Sequence, residues 1–197
     1  MIDYTIVLQA GGKSTRMGTD KALVPFRGAT MIEAILEAVR PLEQDVVLIS
    51  NRPADFERLS LPVYPDVIPD WGALGGLYSA VYHAGRDWCL VLACDMPFVD
   101  LGLIRYMAGL APGFDAMIPR IAADGFAEPF RAFYHKRCLP PIRAAIAAGR
   151  RRVDSFFDDV RPRFVERSEI ETFDPELRTF FNVNTPEDLA AAEKMAS

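Results

Sequence analysis

Lys13, Arg16 and Lys21 follow closely on Gly11-Gly12, and that glycine pair itself ends an apolar run, Ile6-Val7-Leu8. A buried strand that opens into glycines lets backbone approach a ligand with no Cβ in the way, and cations beside it suit anionic oxygens. The chemistry indicated is that of a phosphate cradle. Two familiar cradles do not fit. A Walker A loop needs a glycine ahead of its Gly-Lys-Ser where Val7 stands, and a dinucleotide fingerprint needs a third glycine and an immediate helix start.

Alternating apolar and polar segments then predict the elements that must position these groups. Strands are expected at 4–9, 45–50, 61–64, 88–93, 116–119 and 129–134. Thr30-Met31-Ile32-Glu33 has the form of a capping box, with Met31, Ile32, Ile35, Leu36 and Val39 on one helical face. Further helices are expected at 73–84, from Asp100 through Leu110, at 141–148, as a shorter piece at 153–160, and after Thr185-Pro186-Glu187-Asp188. Strands alternating with helices predict a three-layer α/β fold with a mostly parallel, Rossmann-like sheet. Segment 88–93 is apolar throughout, as a strand covered on both faces should be.

This layout puts the glycine loop after the first strand, Asn51 after the second, Asp66 after the third and Asp95 after the fourth. Ligands of open α/β sheets bind outside the carboxyl ends of the strands, so these groups are expected to line one crevice. With 197 residues, half of them hydrophobic, the chain can bury one substantial core and is expected to form a single domain. The four strands whose ends share this crevice fall within about 1–98, and a second half follows over about 99–197. A net charge of -5 argues against nucleic-acid or membrane-surface binding. No apolar run is long enough to span a bilayer, and the amino terminus lacks the basic start of a signal peptide, so a cytoplasmic location is expected. Cys89, Cys94 and Cys138 have neither disulfide nor zinc spacing, and Cys94 reads as a core residue closing a strand. His83 and His135 lack an evident acid-base partner.

Several segments together resemble one family. Arg16-Met17-Gly18-Thr19-Asp20-Lys21 is similar to the short signature loop of the molybdenum cofactor guanylyltransferases. Tyr64-Pro65-Asp66 with Gly72-Ala73-Leu74-Gly75-Gly76, then Cys94-Asp95-Met96-Pro97, then Asn182-Val183-Asn184-Thr185-Pro186-Glu187 resemble that family's later motifs. The resemblance spans nearly the whole chain. It implies transfer of GMP from GTP to the phosphate of molybdenum-molybdopterin, with pyrophosphate released, and contact with molybdenum-insertion and molybdoenzyme maturation proteins. It implies nucleotide contacts at Gln9, Ala10, Gly11, Gly12, Lys21, Asn51, Asp66 and Asp95, and acceptor contacts at Asn182 and Asn184.

Chemistry assigns roles independently. An acceptor phosphate is already an anion and needs no general base; the difficulty is bringing two polyanions together. Asp95 is the candidate Mg²⁺ ligand, since Mg²⁺ takes only one or two carboxylates and completes its shell with water and phosphate. Arg16 suits the terminal phosphates and Lys21 the reacting α-phosphate. Structural readings stand beside these. Lys13 reads as a solvated loop lysine and Asp20 as a turn residue supporting Lys21. Asn51 and Asn184 are equally cap residues, Asp66 a turn former beside Pro65, and Asp95 a possible cap for the next segment. Arg150-Arg151-Arg152 reads chiefly as a solvated helix end, while Glu128-Pro129 and Tyr134 echo the family's acceptor-facing strands.

Gln9 and Ala73 depart from the family pattern, where leucine and proline are usual, and both departures bear on the choice of base. A cytidylyltransferase for the same cofactor is the near alternative, opposed by Asn182-Val183-Asn184. A sugar-phosphate nucleotidyltransferase is opposed by the short Arg16–Lys21 spacing, and a non-catalytic nucleotide-binding module by the presence of both Lys21 and Asp95.

Overall fold

The computed structural model describes residues 2–10, 21–121 and 126–196. In chain order the strands are β1 (Tyr4–Gln9), β2 (Pro25–Phe26), β3 (Ala29–Thr30), β4 (Val46–Ile49), β5 (Val63–Tyr64), β6 (Trp88–Ala93), β7 (Ala116–Arg120), β8 (Arg131–His135) and β9 (Pro162–Glu166). The helices are α1 (Met31–Val39), α2 (Gly72–His83), α3 (Leu101–Leu110), α4 (Leu139–Ala147), α5 (Arg167–Ile170) and α6 (Pro186–Met195).

The strands form a seven-stranded sheet in the order β5-β4-β1-β6-β8-β7-β9, with β2 and β3 in a separate hairpin. All neighbours pair parallel except at β8, which is antiparallel to both β6 and β7. The period of two along each strand sorts side chains into two layers. Ile6, Leu8, Leu48, Leu90 and Leu92 pack against Ile32 and Ile35 of α1 and Leu103, Ile104 and Met107 of α3. Val7, Val47, Cys89 and Val91 pack on the opposite face against Leu74, Leu77 and Val81 of α2 and Ile142 and Ala145 of α4. Helices on both faces are what a near-continuous apolar strand such as β6 demands.

Local signals explain the remaining elements. The Glu33 carboxylate accepts from the Thr30 backbone N–H at 2.7 Å and so caps α1, and Asp100 Oδ1 accepts from the Leu103 N–H at 2.7 Å to start α3. Arg27 and Gly28 both have positive φ, 53° and 79°, which suits the two-residue turn joining β2 to β3. That hairpin places Val24 and Phe26 with Met31, Val183 and Ala192 in a third apolar cluster, which docks α6.

Two expectations change. Segment 153–160 is not a helix; it holds only a 3-10 turn at Phe157–Asp159. Tight bonds from Ser155 N–H to Arg152 O (3.2 Å) and from Phe157 N–H to Asp154 O (3.0 Å) curl the chain so that Phe156 and Phe157 both reach the core. Strand β9 was not expected, because Arg161, Pro162, Arg163 and Glu166 break up its apolar pattern. An edge strand carries such residues without loss, since only one side of it is paired.

Candidate active site

The parallel strands β5, β4, β1 and β6 lie side by side in that order, so whatever follows their carboxyl ends is arranged along one rim of the sheet. Asp66 and Asn51 occupy one stretch of it. Asn51 Nδ2 donates to Asp66 Oδ2 at 2.8 Å, and the Asp66 N–H donates to Asn51 Oδ1 at 2.9 Å. The reciprocal bonds make the two loops one unit. Ser79 supports it from below: its hydroxyl accepts from the Val67 N–H at 2.9 Å and donates to Gly75 O at 2.8 Å. This buried serine was not singled out from sequence; its only signal is a polar side chain on the covered face of α2.

At the end of β1, Ala10 N–H donates to Ile49 O at 3.0 Å and Gln9 O accepts from the Cys94 N–H at 3.2 Å, which ties β4, β1 and the turn after β6 together. The Gln9 side chain turns toward α2 and donates to Gly76 O at 2.5 Å. A Cβ on Gly76 would stand 2.8 Å from Gln9 Oε1, so only glycine leaves that carboxamide its place. Gly11, Gly12 and Arg16, with Lys13 and Asp20, lie outside the described residues.

Beyond β6 the third group assembles. Lys21 Nζ lies 3.2 Å from Asp95 Oδ2 and also donates to Asn184 Oδ1. The Lys21 and Asp95 side chains are 23% and 26% exposed, enough for a ligand to reach them and too little for free hydration. Asn184 does not cap α6. Thr185 does so, its Oγ1 accepting from Asp188 N–H at 3.1 Å, while the Asp188 carboxylate accepts from both the Asn184 and Thr185 N–H groups at 2.9 Å. Capping therefore leaves the Asn184 carboxamide to Lys21. The Asn182 side chain is exposed beside it, and Val183 N–H between them donates to Asp95 O at 2.8 Å. These bonds bring residues near the two ends of the chain to one place.

Because β8 runs antiparallel, it is its amino end that meets this rim. Glu128 lies there, with Oε1 accepting from the Phe130 N–H at 3.1 Å, and burial pushes its carboxyl above the usual carboxylate range. Arg131 was missed from sequence. It is 2% exposed and pairs in register with Leu92; an arginine between Phe130 and Ala132-Phe133 in an apolar strand was its signal. The cationic run turns to its own neighbours: Arg150 meets Asp159 at 3.2 Å, Arg152 meets Asp154 at 2.6 Å, and the Arg151 guanidinium lies 4.8 Å over the Trp71 ring. Cys94 is buried in the core, and burial pushes the Cys89 thiol up and the Cys138 thiol up to about 12, which suits packing and not nucleophilic attack.

A rim that gathers a lysine, an aspartate and two asparagines suits a nucleotide and a divalent cation. The profile of the MobA-like NTP transferase domain matches residues 6–162. The chain belongs to the MobA-like NTP transferase family. A protein of Pelotomaculum thermopropionicum named probable molybdenum cofactor guanylyltransferase is 35% identical over 196 residues, covering 100% of this chain and 95% of that one. One of the same name from Methanosarcina mazei is 37% identical over 195 residues, covering 93% of this chain and 87% of that one. The crystal structure of molybdopterin-guanine dinucleotide biosynthesis protein A from Archaeoglobus fulgidus is 29% identical and superposes with a TM-score of 0.82 over 98% of both chains. As a member of this family the chain is a nucleotidyltransferase with the mostly parallel α/β sheet described above. Among the described residues no helix is long and apolar enough to cross a membrane.

Proposed function

We propose that this MobA-like protein transfers GMP from GTP to the phosphate of molybdenum-molybdopterin, releasing pyrophosphate. The observation that supports it best is the convergence of Lys21, Asp95 and Asn184, since a cation, a carboxylate and a carboxamide from three separate segments have no packing reason to meet on a rim. An oxygen of the acceptor phosphate attacks the α-phosphorus in line; the new P–O bond forms as the bond to the β-phosphate oxygen breaks, and pyrophosphate carries the electron pair away.

Each residue has a part in this step. The Asn51–Asp66 unit and the Gln9 backbone are assigned to base and ribose, and the reciprocal bonds between Asn51 and Asp66 hold that unit in place before binding. Lys21 sets its ammonium against the α-phosphate oxygens as charge builds there, with Asp95 and Asn184 fixing its direction. Asn182, exposed on the strap before α6 beside Asn184, is assigned to the acceptor. The donor set fits Mg²⁺: Asp95 offers a partly exposed hard carboxylate, and one such ligand is sufficient for an ion that keeps water and phosphate oxygens as its other ligands. When bound there, Mg²⁺ neutralises phosphate charge and aligns the triphosphate.

The test is pyrophosphate release from each of the four ribonucleoside triphosphates with Mg²⁺, with and without molybdenum-loaded molybdopterin. Acceptor-dependent release from GTP alone is expected. Release from CTP instead would move the protein to the cytidylyl reaction, and no acceptor-dependent release from any of them would overturn the reading.

A further inference from the structure

Among the described residues Arg131 is the largest fully buried side chain, at 2% exposure, and the fold gives it little in return. Its Nη2 donates to the Met96 carbonyl at 2.5 Å, while Nε and Nη1 are buried with no hydrogen-bond partner among the described residues. Burying a guanidinium so incompletely paired works against stability, and an apolar side chain on the Leu90–Leu92–Phe133 face of the sheet would avoid that cost. A charge kept at such a place calls for a role beyond packing.

Its surroundings indicate the role. Leu92 lies opposite Arg131 in the β6–β8 ladder, and Ala93 N–H donates to Phe130 O at 3.0 Å, so the guanidinium sits beneath the turn that carries Asp95. Successive carbonyls of that turn are held from two directions: Asp95 O by the Val183 N–H at 2.8 Å, and Met96 O by Arg131. Burial lowers the Arg131 guanidinium to about 10, and the Glu128 and Asp95 carboxylates favour its charged form.

We propose that Arg131 is a positioning residue for the metal-binding carboxylate: from inside the sheet it fixes the Met96 peptide, so that Asp95 meets a divalent cation in one orientation. The proposal rests on the reading of Asp95 as metal ligand. Groups that orient a ligating carboxylate typically change metal affinity by about ten- to a hundredfold when removed.

Mn²⁺ binding followed by electron paramagnetic resonance in the presence of GTP tests it, on wild type, Asp95→Asn, Arg131→Met and Arg131→Lys, with thermal unfolding of each. Arg131→Met should bind Mn²⁺ about tenfold more weakly while melting at or above the wild-type temperature, since a poorly paired buried charge has been removed. Arg131→Lys, which keeps the charge and a donor, should fall between the two. Wild-type Mn²⁺ affinity in Arg131→Met, alongside weakened binding in Asp95→Asn, would overturn the proposal and leave the metal site intact. Equal Mn²⁺ binding by wild type and Asp95→Asn would remove the Asp95 reading and the proposal with it. If Arg131→Met does not fold, Arg131→Lys decides: affinity about threefold below wild type supports the positioning role, and no change overturns it.

Discussion

Lys21 Nζ stands 3.2 Å from Asp95 Oδ2 and donates as well to Asn184 Oδ1, so a single ammonium joins the loop after β1, the end of β6 and the strap before α6. Removing it should affect rate far more than stability, because a partly exposed ion pair contributes little to folding. Lys21→Ala is expected to lower acceptor-dependent pyrophosphate release on the order of 10²- to 10³-fold, with an unchanged unfolding midpoint. A variant that turned over near the wild-type rate would take Lys21 out of the chemistry.

Asn184 acts on that lysine, whose ammonium donates to its Oδ1. Asn184→Ala should then reduce turnover by roughly tenfold, and the double variant with Lys21→Ala should be no slower than Lys21→Ala alone, the non-additivity expected of residues that work as one unit. Multiplying effects would instead assign Asn184 an independent contact with the acceptor.

Two adjacent glycines at the start of α2 should respond differently to alanine. At Gly75 the new Cβ would lie 2.7 Å from Trp71 Cβ and 3.0 Å from Ile68 O, atoms that cannot swing aside. The cost expected is about 1–3 kcal/mol, read from chemical unfolding. At Gly76 the nearest atoms belong to the Gln9 carboxamide, which can move at the expense of its bond to Gly76 O. Gly76→Ala should therefore retain most stability and raise KM for the nucleotide; an unchanged KM would separate Gln9 from nucleotide binding.

Acid stability should report on Asp115. Burial works to raise its carboxyl, but hydrogen bonds from Arg161 and Arg137 prevail and hold it at about 2, with Arg137 Nε at 2.6 Å from Oδ1. A folded-state value below the unfolded one means stability that is fully present above about pH 4 and lost as pH falls toward 2. The amount is roughly 2 kcal/mol for a shift of this size. Asp115→Asn should flatten the decline in unfolding free energy across that window, and an equally steep decline in the variant would place the acid transition elsewhere.

Much of the fold and the rim was readable in the chain because the signals are local. The apolar run 88–93 dictates a strand covered on both faces, Thr30 with Glu33 and Asp100 dictate helix starts, and strand ends followed by Asn51, Asp66 and Asp95 dictate a shared edge. What eluded sequence reasoning depends on partners distant in the chain. β9 is a strand because β7 offers it a parallel ladder, not because its own residues alternate. The reversal of β8 is equally a property of pairing, and it alone brings Glu128 and Arg131 to the rim occupied by Asp95. Asn184 illustrates the division most clearly. Sequence left it equally a helix cap or an acceptor contact; folding gave the cap to Thr185 and turned the carboxamide to Lys21, because only the docking of α6 against the β2–β3 hairpin decides which way that strap faces. The sequence by itself determined the kinds of group available and the strand ends that present them, since periodicity and capping act over a few residues. Tertiary structure decided which groups meet and at what distance, since those contacts arise only when sheet order and helix docking close the loops between them.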